Sequence, residues 1–152
     1  MADTGEQRPV VLVVEDNKIN RMVAQQMLKR AGIEALEADS GSRALEALRE
    51  QRFDLVLMDV QMPGMDGLET AHIIREGGGG EENRRVPILA ITAYASPEDE
   101  TACYDAGMDG YLSKPLNMDS FLRSVREAMQ THGRERRTQD PLPDPELRPD
   151  GP

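Results

Sequence analysis

Five polar residues stand at the ends of four predominantly apolar runs of the sequence. They are two neighbouring acids, a third acid, a threonine and a lysine: Glu15, Asp16, Asp59, Thr92 and Lys114. Carboxylates bind hard cations, and an ammonium group pairs with phosphate oxygens. Phosphoryl chemistry beside a cation is therefore what these residue types could perform, if the fold brings them together.

The three acids would repel one another where they meet. Two carboxylates about 4 Å apart repel by roughly 4 kcal/mol at an effective dielectric constant of about 20. Lys114 supplies one positive charge against three negative ones, so the arrangement is tolerable only if a cation relieves it. Mg²⁺ suits a site of one or two carboxylates, waters and a phosphate group. The residue types thus predict a divalent cation with room for a phosphoryl group.

The segments that must position these residues alternate between apolar runs and helical patterns. The first run, VVLVV, is continuous and β-branched, which is typical of a strand buried on both faces. Strands are predicted at 10–14, 33–38, 53–58, 86–91 and 110–113. Helices are predicted at 17–31, 40–51, 67–75, 97–106 and 117–130. Apolar residues at helical spacing in the first helix are Ile19, Met22, Val23 and Met27.

Five strand–helix pairs in succession predict an α/β fold. Right-handed crossovers place the helices on both faces of a parallel sheet. In such folds ligands bind at the carboxyl ends of the strands, near the point where the strand order reverses. Because the five polar residues follow four of these strands, we expect them to meet at one edge of the sheet.

Four motifs in this order resemble the receiver domain of two-component response regulators, over about Val10 to Met129. They are VLVVEDNKINR (11–21), LVLMDVQMPGMDGLE (55–69), ITA (91–93) and YLSKP (111–115). The resemblance implies a flavodoxin-like (βα)5 doubly wound parallel sheet with strand order 2-1-3-4-5. It also implies a signalling module that catalyses only its own phosphorylation and dephosphorylation, and is not otherwise an enzyme.

The resemblance implies roles for the acidic residues. Asp59 would be the phosphoacceptor, taking its phosphoryl group from a phosphohistidine donor. Asp16, Asp59 and the backbone carbonyl of Gln61 would bind Mg²⁺, with Mn²⁺ as an alternative, and Glu15 would act through a water molecule.

It also implies roles at the last two strands. Thr92 and Lys114 would each contact a phosphoryl oxygen, and the Lys114–Pro115 peptide would be cis. Thr92 and Tyr111 would move after phosphorylation and reshape the face of the fourth helix, fifth strand and fifth helix.

The implied partners are a histidine kinase or a histidine phosphotransfer protein, together with a downstream protein target. A phosphorylation-dependent dimer is a further expectation. The Glu-Asp pair and the wording MDVQMPGMDG are common in receivers of hybrid histidine kinases, so a phosphorelay receiver passing phosphate to a phosphotransfer protein is an alternative. A haloacid dehalogenase-type Mg²⁺ phosphatase is a distant alternative, because its Asp-x-Asp motif is missing: Val60 and Gln61 follow Asp59.

Composition argues against several other classes of partner. The chain has 28 acidic and 18 basic residues, a formal net charge of −10, which disfavours direct binding to nucleic acid or an anionic membrane. No apolar run approaches the roughly 18 residues that a membrane span needs, and residues 1–9 lack an apolar signal segment. We therefore expect a cytoplasmic protein.

The predicted receiver domain covers 10–131, between disordered tails at 1–9 and 132–152. Five of the ten prolines fall between Pro141 and Pro152. Such a tail cannot bury enough apolar surface to offset its ordering entropy. Within the domain, the glycines at 77–80 predict an elongated flexible loop.

Overall fold

The computed structural model describes residues 9–62, 64–93 and 96–138, with side chains as far as residue 130. Strands and helices alternate along the chain. The strands are β1 (Val10–Val14), β2 (Glu34–Ala38), β3 (Leu55–Asp59), β4 (Ile88–Thr92) and β5 (Gly110–Ser113). The helices are α1 (Lys18–Arg30), α2 (Gly41–Glu50), α3 (Gly67–Arg75), α4 (Pro97–Asp105) and α5 (Met118–Thr138).

The five strands form one parallel sheet in the order β2-β1-β3-β4-β5. This confirms the predicted fold class and strand order. Asp59 at the end of β3 lies opposite Ile91, and Thr92 at the end of β4 lies opposite Ser113. The carboxyl ends of β3, β4 and β5 therefore meet at one edge of the sheet.

Helices cover both faces of the sheet because alternate residues of a strand point to opposite faces. Leu12 and Val14 of β1 pack with α2, α3 and α4, whereas Val11 and Val13 pack with α1 and α5. All four side chains are buried, and burying a side chain of this size stabilises the fold by about 1.5–3 kcal/mol. This aliphatic core holds the central strands beneath the polar edge.

Short polar side chains begin all five helices. Each accepts a hydrogen bond from the backbone N–H three residues ahead: Asn17 for α1, Ser40 for α2, Asp66 for α3, Ser96 for α4 and Asn117 for α5. Such caps stabilise a helix by about 1 kcal/mol, because they pair an N–H that has no partner within the helix. The cap at Asn17 starts α1 directly after Glu15 and Asp16.

Helix α1 turns most of its predicted apolar stripe away from the core. Ile19 is 65% exposed, Met22 47% and Val23 41%, whereas the buried residues of the helix are Ala24 and Leu28. The helix therefore has two apolar sides, and the one that carries Ala24 and Leu28 packs on the sheet. The sequence spacing alone fits both sides, because each recurs at three or four residues.

Helix α5 is longer than the sequence predicts. It includes residues 132–138, where the expected tail would begin. That segment contains Arg and Glu, which favour helices, and the next proline is Pro141. The rest of the predicted tails, 1–8 and 139–152, lies outside the described residues. Among the helices that are described, none has the length and apolar character needed to cross a membrane.

The glycines at 77–80 form a packed turn instead of an elongated loop. A Cβ on Gly79 would come within 3.0 Å of the Leu48 side chain, so a larger residue would not fit without a shift. Just after this turn, buried Asn83 donates to the Leu48 carbonyl and accepts from the Phe53 N–H. These glycines therefore permit close packing between α2 and α3.

Candidate functional site

Three carboxylates gather at the carboxyl edge of the sheet, as predicted. Glu15 and Asp59 are only 3% and 2% exposed, whereas Asp16 is exposed to solvent. Each residue offers an oxygen, and these oxygens lie within 4.8 Å of one another. The fold thus joins acids from the β1–α1 turn and the end of β3 into one cluster.

Lys114 lies between the two buried carboxylates. Its Nζ is 3.3 Å from Oε1 of Glu15 and 3.4 Å from Oδ1 of Asp59. The residue directly follows β5, and the Lys114–Pro115 peptide is cis, as the resemblance implies. One ammonium group therefore serves two carboxylates.

The charge balance of this cluster changes the acidity of Asp59. Burial, followed by the neighbouring Glu15 carboxylate, raises the pKa of Asp59 from 3.8 to about 7, although Lys114 and the Gln61 N–H oppose the rise. The protein's own groups thus leave the Asp59 charge only partly compensated.

The donor set suits a hard divalent cation. It consists of oxygens alone and carries an excess of negative charge, which is typical of Mg²⁺ and Ca²⁺ sites. A cation in contact with Asp59 would favour its ionised form, and so would supply the compensation that burial removes.

Thr92 and Gln61 flank the acidic cluster. Thr92 is the buried last residue of β4, and its carbonyl accepts a hydrogen bond from the Lys114 backbone N–H at 2.8 Å. Gln61 has an exposed side chain, and its backbone N–H donates to Oδ1 of Asp59 at 3.2 Å. All six predicted phosphoryl and metal residues therefore lie at the same edge.

Tyr111, predicted as a switch residue, lies on β5 and faces α4. Its hydroxyl donates to Oε1 of Glu100 at 3.3 Å, and both side chains are half-buried. Cys103 is the one buried residue of α4. The tyrosine thus links β5, which ends just before Lys114, to α4, a helix with one buried residue.

An apolar groove of about 340 Å³ opens beside the acidic cluster. Its apolar walls come from β1, α1, β4 and the segment after β5: Val13, Val23, Ala24, Ile91, Pro115 and Leu116. Glu15 and Lys114 also line it. The groove therefore connects the exposed side of α1 with the charged site.

Sequence reasoning missed two contacts around the site. Arg21 donates from Nη1 to the carbonyl oxygens of Glu15 and Asp16, and Glu100 accepts from Tyr111. Arg21 lies inside the first motif. Its acceptors are backbone carbonyls, which every residue carries, so no pattern of residue types indicates this contact.

The sequence and the geometry lead to one family. Residues 11–126 match the response regulator receiver domain. The chain belongs to this family. Receiver domains are signalling modules, which is the coarser part of the sequence-based expectation.

Two curated relatives place this receiver in different contexts. It is 38% identical over 137 residues to the sensor histidine kinase GacS of Pseudomonas protegens, covering 88% of this chain but 15% of GacS. It is 34% identical over 116 residues to the polar-differentiation response regulator DivK of Brucella abortus, covering 76% of this chain and 92% of DivK. The receiver therefore spans a small part of the first relative and nearly all of the second.

Solved receiver structures share its fold. The chemotaxis protein CheY4 of Vibrio cholerae is 31% identical, with a TM-score of 0.75 over 80% of this chain and 99% of that one. A sensor histidine kinase receiver from Pseudomonas aeruginosa, with a magnesium ion coordinated in its active site cleft, is 35% identical, with a TM-score of 0.74. That alignment covers 82% of this chain and 99% of the other.

Proposed function

We propose that this receiver accepts a phosphoryl group on Asp59 from the phosphohistidine of a histidine kinase or a histidine phosphotransfer protein. The observation that carries the proposal is the placement of the Asp59 carboxylate. It lies nearly buried at the end of β3, 3.4 Å from the Lys114 ammonium group and beside two further acids. Such a site combines a nucleophile with groups that bind phosphoryl oxygens.

The transfer needs few protein groups. A carboxylate oxygen of Asp59 bonds to phosphorus while the P–N bond to the donor imidazole breaks, and the electron pair leaves with the imidazole. Lys114 pairs with one phosphoryl oxygen, and the Thr92 hydroxyl donates to another. Both residues already stand at this edge, and the Lys114 backbone N–H donates to the Thr92 carbonyl at 2.8 Å, so the two contacts need side-chain adjustment but no backbone movement there.

Asp16, Asp59 and the Gln61 backbone carbonyl would hold Mg²⁺, or Mn²⁺, with Glu15 acting through a water molecule. The bound ion supplies positive charge to the phosphoryl oxygens and to the acidic cluster. Two observations support this assignment: the oxygen-only donor set of this chain, and the magnesium ion in the cleft of the similar P. aeruginosa receiver. Asp59 must be ionised to act, and a cation beside it lowers its pKa.

The exposed side of α1 is the surface on which the donor docks. Because Asp59 is almost completely buried, a phosphohistidine can approach it only from the carboxyl edge of the sheet. Ile19, Met22 and Val23 are exposed there, and Val23 also lines the groove that leads to Lys114. An apolar helix surface of the donor would bury these side chains and bring its histidine to the site.

Phosphorylation is read out through Thr92 and Tyr111. A phosphoryl group would draw the Thr92 hydroxyl toward itself, and Tyr111 would then leave Glu100 and move inward. This biases the surface of α4, β5 and α5 toward a second arrangement. A downstream protein, or a second copy of the chain, binds the altered surface.

A second candidate is a relay role in a hybrid kinase. The similarity to part of GacS favours it, because such a receiver passes its phosphoryl group on to a histidine phosphotransfer protein. The same Asp59 site serves both roles, with the direction of transfer reversed in the second.

Phosphorylation of purified protein tests the proposal. Incubation with acetyl phosphate and Mg²⁺ should add one phosphoryl group, seen as a shifted band in phosphate-affinity electrophoresis. Asp59→Asn should abolish the shift, and hydroxylamine should remove it from the wild type because it cleaves acyl phosphates.

The matched control is Asp105→Asn, which changes an exposed acid at the end of α4. It should be labelled like the wild type. A labelled Asp59→Asn protein, or a wild-type protein that never shifts, would refute the assignment of Asp59.

A further inference from the structure

The Arg21 side chain joins the acidic turn to the edge strand of the sheet. Its Nη1 donates to the Glu15 carbonyl at 2.9 Å and to the Asp16 carbonyl at 3.3 Å. Its Nε donates to Oε1 of Glu37 on β2 at 3.0 Å. The Arg21 side chain is 15% exposed, whereas the Glu37 side chain is 42% exposed, so the bond to the Glu15 carbonyl is the more sheltered end of this chain of contacts.

The geometry of this turn decides whether two adjacent acids can face one cation. In an extended strand, successive side chains point to opposite faces, and Glu15 and Asp16 would then diverge. Their oxygens instead lie within 4.8 Å of each other and of Asp59. One Arg21 nitrogen reaches both carbonyls, so the two peptide groups face the same side while the carboxylates face the site.

Two further hydrogen bonds hold the turn. The Glu15 N–H continues the sheet by donating to Ala38 at 3.0 Å, and the Asn17 N–H donates to Oε2 of Glu15 at 3.2 Å. Neither bond uses the carbonyls of Glu15 and Asp16. Arg21 donates to both of these carbonyls.

Glu37 orients the guanidinium group. It is the fourth of the five residues of β2 and lies opposite Val13 of β1. Its carboxylate accepts from Nε of Arg21 while Nη1 points toward the turn. A charge-assisted bond of this kind is about twice as strong as a neutral one. The planar fork of arginine can serve Glu37 and the carbonyls together, which a lysine cannot do.

We infer that Arg21 is a positioning residue for the cation site, which holds Glu15 and Asp16 in the orientation that binds a divalent ion. The inference rests on the proposed cation-dependent function of the acidic cluster. Arg21 touches neither the cation nor the phosphoryl group, and acts through the backbone of the two acids.

Isothermal titration of MgCl₂ into the unphosphorylated full chain tests this role. Arg21→Met should weaken Mg²⁺ binding by about tenfold or more, as loss of a group that orients metal ligands commonly does. Arg21→Lys should recover part of the affinity. Glu37→Ala, on the exposed edge strand, should show a smaller loss in the same direction and provides a second test if Arg21→Met does not fold.

The control is Arg49→Met, which removes an arginine that donates to a backbone carbonyl away from the site, that of Gly78 at 2.9 Å. It should leave the Mg²⁺ affinity unchanged. A folded Arg21→Met protein with wild-type affinity, or an equal loss in Arg49→Met, would overturn the inference alone. A wild-type chain that binds no Mg²⁺ would overturn the proposed cation site as well.

Discussion

The Lys114 ammonium group lies 3.4 Å from the carboxylate of Asp59, although 55 residues separate them along the chain. The contact exists because β3 and β5 both end at the same edge, on either side of β4. The same ammonium group is 3.3 Å from Glu15. It is therefore both the main internal counter-charge of the acids and a candidate ligand for the phosphoryl group.

Lys114→Met should slow labelling by acetyl phosphate about a hundredfold, the usual cost of losing one preorganised group that stabilises developing charge. The time course of phosphate-affinity electrophoresis measures this rate. Lys29→Met, which removes an exposed lysine of α1, should be labelled at the wild-type rate. Unchanged labelling of Lys114→Met would argue against its role.

Asp59→Asn should stabilise the fold at pH 8 when divalent ions are removed with EDTA. Folding raises the pKa of Asp59 from 3.8 to about 7. Between these two pH values the carboxyl group is therefore protonated in the folded state and ionised in the unfolded state. Stability therefore falls as the pH rises from about 4 to 7, by up to about 4 kcal/mol at about 1.4 kcal/mol per unit. Asparagine carries no such charge.

Urea denaturation at two pH values measures this effect. The gain in unfolding free energy of Asp59→Asn over the wild type should be largest at pH 8 and shrink to less than half at pH 5. A gain of equal size at both values would mean that the titration of Asp59 is not its cause.

Mg²⁺ should bind more weakly as the pH falls through about 7. Protons and the cation compete for Asp59, whose pKa in the metal-free protein is about 7, so affinity should drop about tenfold between pH 8 and pH 6. Calorimetric titration at both values tests this. At a hundred times the dissociation constant, the ion should stabilise the wild type by about 2.7 kcal/mol. An affinity that is independent of pH would contradict the assigned ionisation.

Ile19→Glu should impair phosphotransfer from a cognate donor without harming the fold. The side chain is 65% exposed, so the free energy of unfolding should change by no more than about 0.5 kcal/mol. Labelling by acetyl phosphate, which needs no docking, should remain at the wild-type rate. The measurement is transfer of radiolabelled phosphate from the donor protein compared with acetyl phosphate.

Leu28→Ala provides the contrast on the same helix. Leu28 is fully buried, and the substitution should cost about 2–5 kcal/mol of stability. If Ile19→Glu left donor transfer untouched, the exposed side of α1 would not be the docking surface.

The sequence predicts the sheet, and the meeting of the polar residues at one of its edges, because both follow from simple local patterns. Continuous apolar runs identify the central strands, and the polar residues at their ends must converge where parallel strands end. The same logic does not extend to α1, where Ile19 and Leu28 both fit a helical spacing. Only packing decides that Ala24 and Leu28 face the sheet.

Contacts that end on the backbone are also beyond sequence reasoning. Arg21 contacts carbonyl oxygens, and every residue has one, so no pattern of residue types distinguishes its acceptors. The prediction for residues 77–80 was wrong for another reason. The glycines suggested a flexible loop, but in the structure they allow the backbone to pack closely against Leu48.

The two apolar sides of α1 differ in how freely their residues can be exchanged, because one is buried and the other is exposed. Substitution of Ala24 or Leu28 threatens folding, so these positions can change only together with their neighbours in the core. Ile19, Met22 and Val23 are exposed, so they can be exchanged one at a time while the core stays intact. On the proposed docking role, donor specificity can thus be redesigned on one side of a single helix without disturbing the side that holds the fold.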